Sequence, residues 1–343
     1  LILIFVGGIF IKGMSQYIPN SSQNFHFAPN FNPAFTGIEG YQDLKLAYRY
    51  QWSGLGSDAP KFINVAFNFR VKEPLDLTLN AIRTSMGKNQ NAEIPKVKKI
   101  IHGLGANVFS EEEGFMKRLG GGINYSFHYP LTKTLKVAIG VNATLYNSRL
   151  DINKIDFGKD PNGMPVDPTN DDVYRELQAG SSFTNLNARA GILVYNTRYY
   201  IGVSYLNIVN KSLNNPNIGL NDIETAIGSP RVYKALFQGG YSFPVSATMD
   251  VKPSVLALMQ ADNSFLIDYN VKLYIEEKMW FGITYRDVKS MIGIVGFNLN
   301  EKLGASYSYE LSSSNSRQFF GGSHELALSV RLNNFKRQKQ QTW

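Results

Sequence analysis

Alternation with a period of two, sustained over long runs, constrains this chain more than any other feature of its sequence. Phe265, Ile267, Tyr269, Val271, Leu273 and Ile275 alternate with Asp268, Asn270 and Lys272. Leu135, Val137, Ile139, Val141 and Leu145 alternate in the same way with Lys136, Gly140, Asn142 and Thr144, and Leu326, Leu328, Val330 and Leu332 with Glu325, Ser329 and Arg331. Successive side chains of a strand point to opposite faces, so each run has one face suited to lipid and one suited to water. Soluble strands average about five or six residues and tilted membrane strands need about nine to eleven, and many of these runs reach the longer value. Beyond the opening segment no stretch approaches the ~20 consecutive apolar residues of a membrane helix. A spanning chain of this kind must therefore close into a barrel that leaves no backbone edge in lipid.

From Tyr41 onward the pattern predicts about fourteen strands, near 41–52, 60–71, 100–110, 117–128, 133–149, 183–195, 198–210, 231–242, 247–261, 264–275, 279–287, 290–298, 302–311 and 323–332. An even count suits an all-β, antiparallel up-and-down transmembrane barrel of the outer-membrane type. Short links follow most even strands, and the long ones, 150–182, 211–230 and 312–322, follow odd strands. Short periplasmic turns and long outer loops are the rule for such barrels, which predicts that both termini are periplasmic. Tyr129, Tyr195, Tyr199, Tyr241, Phe243 and Phe281 cluster beside the short turns as an expected aromatic girdle. One link breaks the pattern: 72–99 is long on the short-turn side and carries Lys88, Lys96, Lys98 and Lys99. It holds either a hidden hairpin or a periplasmic insertion that meets a partner.

The first fifteen residues, LILIFVGGIFIKGMS, are apolar, too short to span a bilayer, and end in small residues ahead of Gln16. They are expected to be a signal peptide whose charged start lies upstream. Residues 16–40 then form a leader with prolines at 19, 29 and 33. Proline fixes φ and disfavours helix before it, so this segment is read as extended or turn-like, at the periplasmic rim or in the lumen. The barrel itself is placed at 41–333, followed by a basic periplasmic tail at 334–343.

Composition narrows the function. There are no cysteines, which removes disulfides, thiolate zinc sites, a cysteine nucleophile and an acylated lipoprotein anchor. A formal charge of +8 is spread along strands and loops with no dense basic helix, so nucleic acid is not an expected partner and anionic headgroups of outer-membrane lipid and lipopolysaccharide are. The histidines at 26, 102, 128 and 324 lack metal-site spacing and are read as lumen or rim residues. No nucleophile elbow or phosphate loop is present, and Gly103, Gly105 and Gly120–Gly122 lie in strand patterns, where close packing explains them better than phosphate binding. The acidic loop from Asp151 to Asp172 lacks EF-hand spacing. No enzyme, cofactor or metal is expected.

Three groups of residues carry a family resemblance: Asn32-Pro33-Ala34-Phe35-Thr36-Gly37; Arg49-Tyr50-Gln51-Trp52 with Ala59-Pro60; and Gly322-Ser323-His324-Glu325 with Leu328. Together they resemble the PorP/SprF outer-membrane proteins of Bacteroidetes. The resemblance implies an integral outer-membrane barrel of the type IX secretion system, with secretion components and an exported adhesin or other secreted protein as partners, in some members for gliding motility. The alternative is a passive porin or hydrophobic-solute channel. The resemblance implies no catalytic residues, and the 72–99 link and the basic tail depart from it.

In a closed barrel the first strand pairs with the last, which predicts that Arg49 and Gln51 approach Glu325 and that Arg49 and Glu325 form an ion pair setting the closure register. Asn32, Pro33, Gly37, Arg49, Gln51, Trp52, Pro60, His324 and Glu325 are thus the expected seam or partner-facing motif.

Overall fold

The computed structural model describes residues 21–71, 100–132, 134–151, 182–213, 233–260, 262–276, 278–287, 290–312 and 321–332. The expected signal peptide, the 72–99 link, the Asp151–Asp172 loop beyond its first residue, and the basic tail lie outside the described residues.

Alternation becomes strands wherever the sequence sustains it. In order they are β1 (Gln42–Tyr50), β2 (Lys61–Val71), β3 (Ile101–Glu113), β4 (Met116–Pro130), β5 (Lys136–Leu150), β6 (Ser182–Tyr195), β7 (Tyr199–Ser212) and β8 (Tyr233–Tyr241). A two-residue β9 (Phe243–Pro244) follows, then β10 (Met249–Gln260), β11 (Phe265–Ile275), β12 (Met279–Arg286), β13 (Ser290–Asn298), β14 (Leu303–Ser312) and β15 (Ser323–Leu332). Leaving the short β9 aside, fourteen strands pair antiparallel with their sequence neighbours, and β1 pairs with β15 to close the sheet. Closure satisfies both edges, which a bilayer requires.

Burial follows the period. Along β1, Leu44, Leu46 and Tyr48 are exposed on the outer wall while Asp43, Lys45 and Arg49 are buried inside. Ile123, Ile139, Ile201 and Ile283 are similarly exposed outside, with Asn124, Asn142, Ser204 and Thr284 buried within. A barrel in water would leave that outer face unpaid for; in lipid it is the solvated face.

The connections after β1, β3, β5, β7, β10, β12 and β14 lie at one end, here the loop end, and the remainder at the turn end. Of the girdle expected at the turn end, Tyr129, Phe243 and Phe281 are exposed. Tyr195 corrects that expectation: it is 2% exposed and faces the lumen, where its hydroxyl bonds His128 Nδ1 at 2.8 Å. Parity explains the error, because Tyr195 shares a face with Phe183, Asn185 and Leu193, all buried inward.

The lumen is filled by the chain itself. Residues 21–41 do not run along a rim. They pass through the interior, with a helical turn α1 (Ala28–Phe31) and a 3-10 turn (Pro33–Phe35) buried throughout. Phe27 and Phe31 form an apolar core with Ala47 and Ala327 from the seam side and Leu206, Leu236 and Leu258 from the opposite wall. Burying two phenylalanines in this core stabilises the leader by roughly 1.5–3 kcal/mol each. Ser21 reaches the loop end beside Glu325, while Leu332 ends β15 at the turn end. The leader thus enters its described path at one end of the barrel and the wall ends its described course at the other.

Candidate functional site

The strongest concentration of interior chemistry lies along the seam. Antiparallel pairing puts Arg49 directly opposite Glu325, and period two aims both inward. Arg49 Nη1 is 3.4 Å from Glu325 Oε2 and Nη2 is 2.8 Å from Glu310 Oε2 on β14. Glu310 Oε1 lies 3.2 Å from Arg286 Nη1 on β12 and accepts a hydrogen bond from Ser290 Oγ at 2.9 Å. Arg286 holds Asp268 on β11 in a two-point fork, at 2.9 and 3.0 Å. Two guanidiniums and three carboxylates thus form one buried chain from β1 to β11. Buried charges are tolerated only when paired and hydrogen-bonded, and this network meets that condition mostly from within the wall.

The leader supplies the rest. Ser21 Oγ donates to Glu325 Oε1 at 2.7 Å, the Ser22 amide donates to Glu325 Oε2 at 2.7 Å, and Ser22 Oγ donates to Glu310 Oε2 at 3.0 Å. Arg49 also donates to Ser22 Oγ. Asn24 Nδ2 donates to Asp268 at 3.2 Å. Closure of the wall and placement of the leader share the same carboxylates.

Asn32-Pro33-Ala34-Phe35-Thr36-Gly37 does not sit at the seam. Asn32 Oδ1 accepts from the Ala34 amide at 3.0 Å, capping the 3-10 turn, and Nδ2 donates to the Ile192 and Val203 carbonyls of β6 and β7 at 3.3 and 3.4 Å. The wall is cut away to receive it: a Cβ on Gly140 would overlap the Pro33–Ala34 backbone, and one on Gly191 would overlap Asn32. Gly37 has φ +70°, and any Cβ there would meet the Cα of Gly103. Thr36 offers its carbonyl to Ser126 Oγ and to His128 Nε2 of β4, the latter at 2.8 Å. Gly103, which the sequence pattern assigns to close packing in a strand, joins Gly140 and Gly191 as the floor of a socket.

The other motif residues divide between rim and outer face. Trp52, at φ 55°, follows β1, and its amide donates to Ser323 Oγ at 3.2 Å; the Ser53 amide donates to the Gly322 carbonyl at 2.8 Å. The Gln51 amide donates to the Pro60 carbonyl at 2.8 Å. The second and third sequence motifs therefore meet at the loop end of the seam, and the first lies across the lumen. His324, second residue of β15 at the loop-end rim, faces outward, with Nδ1 2.7 Å from Tyr307 OH. His102, also outward, makes the same pairing with Tyr125 at 2.8 Å. Neighbouring-strand tyrosines satisfy both rings on a face that otherwise meets lipid.

At the turn end the interior turns basic. Lys252 of β10 and Lys272 of β11 stand directly opposite each other. Lys272 is fully buried, its Nζ lies 3.8 Å from the Phe25 ring centroid, and that nitrogen has no hydrogen-bond partner among the described residues. Burial, then Lys45, Lys272 and Arg331, hold His26 of the leader well below its usual basicity, so it docks neutral, its Nε2 3.3 Å from Ser306 Oγ. Sequence reasoning missed Glu310, Arg286 and Asp268 as partners of the seam, since nothing in one strand's pattern says which inward residues converge across a lumen.

A closed antiparallel barrel with an apolar outer face and a chain segment filling its lumen defines an integral outer-membrane-type barrel with an internal plug. Residues 13–330 match the family described as Type IX secretion system membrane protein PorP/SprF. The chain belongs to that family, and an integral outer-membrane location follows from the family together with the barrel. Among solved structures it is similar to Omp33 of Acinetobacter baumannii, with a TM-score of 0.44, 9% identity, and coverage of 87% of this chain and 100% of that one. The Pseudomonas putida toluene transporter TodX has a TM-score of 0.44 and 8% identity over 94% of this chain and 95% of its own. The CymD monoaromatic hydrocarbon channel has a TM-score of 0.44 and 10% identity over 91% and 92%. No match was found among curated protein sequences.

Proposed function

We propose that this barrel is a non-enzymatic holding component of the type IX secretion system, supporting export or surface attachment of secreted proteins such as gliding adhesins. The observation that carries this reading is the occupied lumen. The leader is bonded to the seam at Ser21 and Ser22 and seated on glycines across the interior. An internal plug held at both sides suits a scaffold that engages a protein partner better than a passive porin or hydrophobic-solute channel. The family description supplies the secretion context. Anionic lipid and lipopolysaccharide around the wall, and a periplasmic partner at the 72–99 link, belong to the same proposal.

Affinity purification of the full chain from native membranes, with parallel conductance measurements on the purified barrel in planar bilayers, tests it. The expected result is co-purifying secretion components with no steady conductance. Stable ohmic conductance with no co-purifying protein would overturn the proposal in favour of the channel.

A further inference from the structure

The outer wall changes character at the loop end, and on one side only. Across β4, β5 and β6 the ladder sets Lys117, Arg149 and Ser182 side by side in one outward layer, and Leu119, Asn147 and Thr184 in the layer below. One layer further in, Leu145 stands between Gly121 and Leu186, and the face is apolar again. Parity puts these residues on the face of Ile123, Ile139 and Ile192, which meets lipid. On the opposite wall the outward row at the loop end reads Tyr269, Tyr285, Met291 and Leu311, and it carries no charge.

Like charges directly opposite in a ladder repel, yet Lys117 and Arg149 are such a pair and both are exposed. Glu112 of β3 answers Lys117 at 3.0 Å, but the side chains of that pair are 37% and 51% exposed, and so open an ion pair holds its partners weakly. Lys61 of β2 stands opposite Glu112 on its other side. Three cations and one carboxylate therefore share this edge. Beside them, Asn147 Nδ2 donates to Ser182 Oγ at 2.9 Å and to Thr184 Oγ1 at 3.0 Å. Mutual bonding makes these groups tolerable at the margin of lipid. Amides and hydroxyls are also what a sugar ring bonds and an acyl chain does not.

Long connections mark the outer side of such barrels, which sets this patch among the headgroups of the outer leaflet. We propose that Lys117 and Arg149 bind the phosphate of one glycolipid of the lipid A type, its sugar against Asn147, Ser182 and Thr184 and its acyl chains along Gly121 and Leu145. Charge, sugar and hydrocarbon then follow one another in the order of the three layers. A glycerophospholipid offers the phosphate but no sugar ring for the middle layer. Resting on the outer-membrane lipid contact proposed above, this gives that contact one place and one ligand.

The test titrates the full chain, stripped of co-purifying lipid in detergent, and counts bound lipid by native mass spectrometry. Lipid A is expected to bind roughly 10-fold or more tightly than phosphatase-treated lipid A or phosphatidylglycerol, and equimolar inorganic phosphate is expected not to displace it. Lys117→Gln with Arg149→Gln should weaken lipid A binding by roughly 10-fold or more, two cations at the headgroup being lost. Lys278→Gln with Lys302→Gln makes the same charge change at exposed turn-end positions and should leave binding unchanged. Asn147→Leu should narrow the preference for lipid A over phosphatidylglycerol. No binding of lipid A, equal binding of either comparison lipid, displacement by phosphate, undiminished binding by the Lys117 and Arg149 variant, an equal loss in the turn-end variant, or an unchanged preference in Asn147→Leu each overturns the inference. The lipid comparison on the unmodified chain decides the matter even where a variant fails to fold. Co-purification of secretion components is read from native membranes and depends on none of these results, so the broader functional reading stands or falls separately.

Discussion

Arg49 of β1 and Glu325 of β15 stand opposite each other in the closing ladder with Nη1 and Oε2 3.4 Å apart, yet the shorter ion pair of Arg49 is to Glu310, at 2.8 Å. The seam is a shared network in which Glu325 is satisfied chiefly by the leader, through Ser21 Oγ and the Ser22 amide. Barrel closure and plug docking are therefore coupled through one carboxylate.

Replacing Arg49 with methionine leaves Glu310 and Glu325 buried without their shared cation. Breaking a buried pair from one side costs about 3–5 kcal/mol, so a fall in denaturant resistance of that order is expected in equilibrium unfolding from lipid vesicles. Exchanging the two charges, with Arg49→Glu and Glu325→Arg together, restores only part of the loss, because the new carboxylate at position 49 faces Glu310. Full rescue would show that the pair acts in isolation.

Gly37→Ala should free the leader from its socket. A left-handed φ costs a residue with a Cβ roughly 1–2 kcal/mol, and here the added methyl also meets the Cα of Gly103. The check is hydrogen exchange of residues 32–38, where protection is expected to drop while the wall strands keep theirs. Unchanged protection would mean that the close approach is relieved at no cost.

Asn32 discriminates between cap and wall contact. Loss of a cap costs about 1 kcal/mol, which Asn32→Ala should show in the same exchange measurement. Asn32→Asp keeps the acceptor for the Ala34 amide but sets a carboxylate against the Ile192 and Val203 carbonyls. It is expected to be worse than alanine despite preserving the cap.

Acid should loosen the plug through His26. Its basicity is depressed in the docked state, chiefly by burial and then by Lys45, Lys272 and Arg331, relative to 6.5 for the free side chain. The undocked state therefore binds the extra proton first. Docking is at full strength above that value and weakens as the pH falls below it toward the lowered docked value. Protease sensitivity of the leader is expected to rise between about pH 7 and 5, and His26→Gln to flatten that rise. A pH response unchanged by the substitution would assign it to another group.

Much of the wall was readable in advance because its cause is local. Leu44, Leu46 and Tyr48 face out and Lys45 and Arg49 face in because adjacent residues of a strand alternate, and lipid and lumen demand opposite polarity. Pairing of the first strand with the last brought Arg49 opposite Glu325 for the same reason. Tyr195 lies beside a turn, where a girdle ring is expected, but the parity of its strand turns it inward.

By itself the sequence determined the fourteen long strands, which face of each meets lipid, and the family, since each rests on period two or on residues close together in the chain. Tertiary structure decided that residues 21–41 fill the lumen, that the Asn32–Gly37 motif docks on Gly103, Gly140 and Gly191 far from the seam, and that Arg49 shares Glu310 with Arg286. Those contacts join residues far apart in the sequence, such as Arg49 and Glu310 or Asn32 and Ile192. They exist only once closure has set which inward side chains face one another across the interior, and no local pattern carries that information.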